Sequence, residues 1–108
     1  MKLEDLKARL EERNEITFTY EFITEKQLGS NNSLKLYYLK TKPDKAGRTI
    51  EIFLDHTSGN RDSLFNIYGL TPEGEAYAVY IRCFPERVED ILRDNFGIKR
   101  RVKQERLL

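Results

Sequence analysis

The chain is short of the parts that chemistry at a catalytic centre usually needs. Among 108 residues there is one cysteine, Cys83, one histidine, His56, and no tryptophan. A single cysteine excludes an intrachain disulfide and makes a reducing, cytoplasmic compartment the expected setting. One histidine and one cysteine supply too few ligands for an ordinary zinc site, and a Cys–His nucleophilic pair would lack its orienting group. Cys83 reads as a buried strand residue, and His56 as a surface or capping residue beside a turn. Gly-x-Gly-x-x-Gly, a phosphate loop with its Lys and Ser/Thr, and a nucleophile elbow are all missing; the six glycines fall at turns. Asp44, Asp55 and Asp62 read as turn-capping aspartates and not as a carboxylate cluster. No catalytic residue, metal or cofactor is expected, and the chain reads as a non-enzyme.

Long apolar runs are also missing, where roughly 20 residues are needed to span a bilayer. Glu4 and Asp5 stand where a secretory signal would be apolar, so neither a leader nor a membrane partner is expected. Charge of one sign is not in excess: 19 basic against 18 acidic side chains give +1. That balance excludes a broad footprint for nucleic acid or anionic lipid, so such binding must come from local clustering.

What is present is a folded, well-solvated composition, 39% hydrophobic and 34% charged with six Tyr and six Phe. The length suits a single domain, residues 1–108, which buries roughly two-thirds of the surface of its unfolded chain.

The clearest local pattern is residues 64–84. Leu64-Phe65-Asn66-Ile67-Tyr68-Gly69 and Ala76-Tyr77-Ala78-Val79-Tyr80-Ile81-Arg82-Cys83-Phe84 flank a polar turn holding Pro72 and Gly74, which predicts an antiparallel hairpin. Upstream, Leu3, Leu6 and Leu10 make one apolar stripe on a charged helix over 2–14, with Asn14 placed to end it in a left-handed conformation. Ile16, Phe18, Tyr20 and Phe22 alternate with Thr17, Thr19 and Glu21, a strand with one buried and one wet side. Residues 27–33 read as a loop and 34–42 as a strand. Leu34, Leu36 and Tyr38 share one face of it, while Tyr37 and Leu39 give the other face apolar character. A turn at 42–47 leads to a third strand, 48–57, with Ile50, Ile52 and Leu54 in register, and a polar connection follows over 57–62.

Pro85 stands at a first-turn position, Glu86 beside the positive end of the helix dipole, and Val88, Ile91 and Leu92 supply the stripe of a second helix over 85–96 capped by Gly97. Residues 98–108 read as a sixth strand or an exposed tail. The expected fold is therefore α+β: an antiparallel sheet of about five strands with an N-terminal and a C-terminal helix on one face.

Charge departs from balance only at the end of the chain. Lys99, Arg100, Arg101, Lys103 and Arg106 against Glu105 give +4, which leaves −3 on residues 1–97. Lys99, Arg100, Arg101 and Lys103, with Arg82 and Arg87, are the candidate phosphate contacts for single-stranded or duplex DNA. Tyr20, Tyr37, Tyr38, Tyr68, Tyr77 and Tyr80 would offer stacking surfaces for unpaired bases. The competing expectation for both sets is packing and solvated surface.

Residues 55–84 resemble a known family. Asp55-His56 with Gly59, the run Leu64 to Gly74 through Tyr68-Gly69-Leu70-Thr71, and Ala78 to Pro85 are similar to the N-terminal, pre-exonuclease domain of delta-type family B DNA polymerases. Phe84 runs directly into Pro85-Glu86, without that family's Pro-Tyr-Phe-Tyr signature, and no exonuclease or polymerase motif is present. The resemblance implies an isolated, non-catalytic module for DNA replication that touches template or a replication protein. A second expectation is a small protein-binding regulator or inhibitor, of phage or mobile-element type, that acts through an exposed sheet face or edge strand. For it, Tyr37 and Leu39 are the candidate interface residues. A third is a homodimer joined sheet to sheet, in place of a monomer.

Overall fold

Both helices form where the apolar stripes predicted them. The computed structural model describes residues 1–27, 33–55 and 64–102. Helix α1 (Leu3–Arg13) begins where the Asp5 carboxylate accepts the Lys2 amide at 3.2 Å, and it buries Leu6 and Leu10 completely. Helix α2 (Pro85–Asp94) starts on Pro85 and buries Val88, Ile91 and Leu92. Its exit follows the glycine signal: Gly97 has φ +70°, and the Ile98 amide returns to the Leu92 carbonyl at 2.9 Å. Asn14 differs from expectation. It ends α1 in extended backbone, φ −132° and ψ 154°, because its side chain is engaged elsewhere.

Five strands follow one another across a single antiparallel sheet: β1 (Thr19–Gln27), β2 (Ser33–Lys40), β3 (Thr49–Leu54), β4 (Phe65–Leu70) and β5 (Ala76–Cys83). Period-two alternation sends Leu39, Ile50, Ile52, Phe65, Ile67 and Cys83 to one side, where they share a core with Leu6, Leu10, Val88, Ile91 and Leu92. The fold is the expected α+β arrangement. Residues 98–102 add no sixth strand; they contribute one isolated bridge, Asn14↔Arg100. Among the described residues, no helix is long and apolar enough to cross a membrane.

The first hairpin outruns the sheet. β1 and β2 pair from Thr19↔Lys40 to Gln27↔Ser33, whereas β2 meets β3 only at Leu39↔Ile52 and Lys40↔Glu51. The hairpin projects as a two-stranded arm, and the molecule measures 60 × 37 × 20 Å. Its radius of gyration is 15.5 Å, against about 13 Å for a compact chain of this length. The arm corrects one expectation. Ile16 and Phe18 are buried, but Tyr20 and Phe22, on the same side of the strand, are 47% and 54% exposed: the Lys7 ammonium of α1 stands over the Tyr20 ring at 5.5 Å, and Phe22 meets Tyr37 edge-on at 5.7 Å.

Two irregularities shape β5. Relative to β4 it carries an extra residue near Tyr77 and another near Arg82, where the backbone turns left-handed at φ 55° and the Arg82 amide donates to Asn66 Oδ1 at 2.9 Å. Gly69 lies opposite the first. A Cβ there would stand 2.7 Å from the Phe96 ring and 2.8 Å from the Tyr77 ring. Gly69→Ala is therefore expected to cost about 1–3 kcal/mol of overpacking, read as a lower urea midpoint with unchanged slope.

Candidate functional site

The outer side of the sheet carries a row of aromatic rings that register, and not sequence spacing, brings together. Tyr38 is opposite Glu21 on β1, Phe53 is opposite Asn66, and Glu51 is opposite both Lys40 and Tyr68. All of these residues point away from the helices. Tyr38 and Phe53 stack at 4.6 Å and 12°, and Tyr68 meets Phe53 edge-on at 5.5 Å and 86°. Val79, opposite Tyr68, and Ile81 continue the row at 52% and 63% exposure. Among the described residues, no helix lies over this face. Its three rings are packed against one another and half-buried, and Val79 and Ile81 beside them are exposed.

The charges on the face include two carboxylate–cation pairs. Glu51 and Asp55 are 14% and 7% exposed at the side chain, while the cations beside them, Lys40 at 3.9 Å and Arg82 at 3.5 Å, are 38% and 61% exposed. Burial pushes the Glu51 carboxyl above its ordinary range; Lys40 opposes the shift and Glu21 adds to it. Burial also raises the Tyr38 phenol, and the charges of Glu51 and Glu21 raise it further. Glu51, Phe53, Asp55, Asn66, Tyr68 and Leu70 line a shallow groove of about 590 Å³.

The sign of the Glu51 shift makes a prediction. With its folded-state pKa above the unfolded value, ionisation costs stability: the cost is absent below the unfolded pKa and complete above the folded one. Glu51→Gln is expected to stabilise the protein at neutral pH and to lose that advantage in acid. Urea midpoints at the two pH values check it; equal differences at both would refute it.

The sequence candidates land in several places. Leu39 is a correction: it is fully buried, paired with Ile52 and packed in the core with Leu6 and Leu10, so it is no interface residue. Tyr37 is 42% exposed but stands on the helix-bearing side of the arm, edge-on to Phe22 at 5.7 Å. Lys99, Arg100 and Arg101 lie along the end of α1. There Lys99 accepts the Glu15 amide at 2.7 Å, and Arg101 donates from its backbone to Arg13 and from Nε to the Glu11 carbonyl at 2.6 Å. Arg82 and Arg87 are at the opposite end of α2, a helix of about 15 Å by its length. Among the described candidates, Lys99, Arg100 and Arg101 therefore stand apart from Arg82 and Arg87. Lys103, His56, Asp62 and Gly59 lie outside the described residues.

Cys83 is buried, and burial raises its thiol, an effect that Arg87 partly offsets. Asp44 caps its turn as expected: its Oδ1 accepts the amides of Ala46 and Arg48 at 2.9 Å each, and these bonds hold its carboxyl below the usual range. A second cleft, about 410 Å³, lies between Ile16, Thr41, Arg48, Tyr77 and Phe96. Arg48 there is paired with Asp44 at 3.3 Å and faces the Tyr77 ring at 5.7 Å.

Tyr38 and Tyr68 belong to the tyrosines expected as stacking surfaces, whereas Phe53 and Glu51 are not among the sequence candidates. The signal was present: Ile50, Ile52 and Leu54 facing the core require 49, 51 and 53 to face away.

Fold and face together define a class, an antiparallel meander clad by helices on one side and aromatic on the other. Comparison with known protein families, curated proteins and solved structures finds no match for this chain.

Proposed function

We propose that the protein is a non-catalytic interaction module that binds a protein partner on the open face of its sheet. The observation that carries this reading is the Tyr38–Phe53–Tyr68 row, extended by Val79 and Ile81, on the side away from both helices. Aromatic side chains give a large contact area at small cost in side-chain entropy, and exposed apolar residues in one contiguous patch mark interaction surfaces. The buried free thiol of Cys83 suits the cytoplasm as the proposed setting.

A second reading is favoured by the exposure of Lys99, Arg100 and Arg101 together with the resemblance of residues 55–84 to a polymerase N-terminal domain. It makes the protein a replication-accessory module that contacts DNA phosphates through the end of the chain. Burial of Glu51 and Asp55 works against phosphate on the open face itself.

Comparative capture from lysate separates the two. The probes are the wild-type protein, a face variant (Val79→Lys with Ile81→Lys) and an end variant (Lys99, Arg100 and Arg101 to Ala). The expected result is one protein partner held by wild type and the end variant and lost by the face variant. Retention by the face variant would sink the proposal. DNA binding that is lost in the end variant, with a salt slope smaller by about 0.7–0.9 per phosphate contact removed, would establish the second reading instead.

A further inference from the structure

We infer that the groove around Glu51 takes a cationic side chain, arginine or lysine, from a basic segment of the partner; the inference rests on the open face being the docking surface. Three features converge there. Glu51 faces Tyr68 across one strand boundary and Lys40 across the other, and Phe53 is two residues along its own strand, so the carboxylate and the Phe53 and Tyr68 rings line one groove. An aromatic face attracts a cation through its quadrupole, and a carboxylate beside it supplies the counter-charge, the pairing that fits a guanidinium or ammonium group. The groove, about 590 Å³ and continued by Asp55 and Asn66, has room for such a group and its aliphatic stem.

The charges on the face differ in how firmly they are placed. Glu51 and Asp55 are fixed by burial, whereas Lys40 and Arg82 are long, more exposed side chains that reach them at 3.9 and 3.5 Å. Lys40 marks where a cation is wanted while holding it only at arm's length. A partner's arginine or lysine would approach from above, between the rings, and Lys40 would swing to solvent. The carboxyl that burial leaves poorly compensated would then gain a close partner in a drier site, where the attraction is stronger. The groove itself is lined by both carboxylates and by neither Lys40 nor Arg82, so an anionic group seated in it would meet Glu51 and Asp55. Charge complementarity thus points to a basic polypeptide as the occupant of this face.

The test is an NMR titration of the full chain with three probes: a short peptide of alternating arginine and glycine, its glutamate–glycine counterpart, and a single-stranded oligonucleotide. The expected result is saturable shifts at the amides of Glu51, Phe53 and Tyr68 with the arginine peptide alone, with affinity about tenfold or more weaker in Glu51→Gln. Glu51→Gln keeps the shape of the side chain and is expected to be no less stable than wild type, so weaker binding there reads as lost recognition and not as unfolding. Equal affinity in Glu51→Gln, no response to the arginine peptide, or a response of these residues to the glutamate peptide or the oligonucleotide would overturn the inference. Partner capture lost in the Val79→Lys, Ile81→Lys variant but unaffected by Glu51→Gln would remove the cation site and leave the docking face. Capture unaffected by either would remove both.

Discussion

Leu39→Ala is expected to destabilise the protein by about 2–5 kcal/mol, the range for emptying a fully buried leucine site, whereas Tyr37→Ala, two residues away, should cost well under half of that. Leu39 is enclosed by Ile52 of the next strand and by the leucines of α1, so the space left by truncation has few ways to collapse. Tyr37 sits on the projecting arm and loses mainly its contact with Phe22. Urea unfolding of the two variants measures the difference. A small effect of Leu39→Ala would mean that α1 does not pack on β2 as described.

Glu89→Ala is expected to cost about 3 kcal/mol, because it strands the partners of a buried carboxylate. The Glu89 side chain is 8% exposed and holds three groups: Asn14 Nδ2 donates to it at 2.9 Å, Arg93 pairs with it at 3.1 Å, and Arg13 at 3.6 Å. Asn14, itself fully buried, also donates to the Leu10 carbonyl at 3.0 Å and accepts from Arg93 Nε at 2.9 Å. This network fastens the end of α1 to the middle of α2. Glu89→Gln keeps an acceptor for Asn14 while losing the charge opposite two guanidinium groups, so a smaller loss is expected. Denaturant curves for both variants decide it; a loss below about 1 kcal/mol for Glu89→Ala would show the clamp to be dispensable.

Elements with a local cause were legible in the sequence. Pro85 and Gly97 bracket the second helix because each suits one end of a helix for its own backbone reasons. The turn at Pro72 and Gly74 joins its two strands as expected. Alternation also told which side of a strand a residue takes, but it could not tell whether anything lies on that side. Tyr20 and Phe22 share the side of Phe18 and yet stay exposed, since that depends on how far α1 reaches along the arm.

On β2, where both faces are apolar, period two left the choice open between Tyr38 and Leu39, and the single register contact with Ile52 settles it. The aromatic row was out of reach for a related reason. Tyr38, Phe53 and Tyr68 come from three strands, and their adjacency is a property of strand register, which turn lengths fix and spacing along the chain does not. Glu89 had no signal at all: a glutamate in a helix reads as solvated, and its burial depends on Asn14, 75 positions away.

That separation has a kinetic consequence. The strands occupy the sheet in chain order, so each hairpin closes over a short loop and can form early at small entropic cost. The tie between α1 and α2 joins residues 75 positions apart and is expected to form late, after the rate-limiting barrier. Loss of Glu89 should then accelerate unfolding while leaving the folding rate nearly unchanged, a φ-value near zero for the clamp. With that outcome the helix clamp would govern how long the native state persists, and the meander how quickly it is reached.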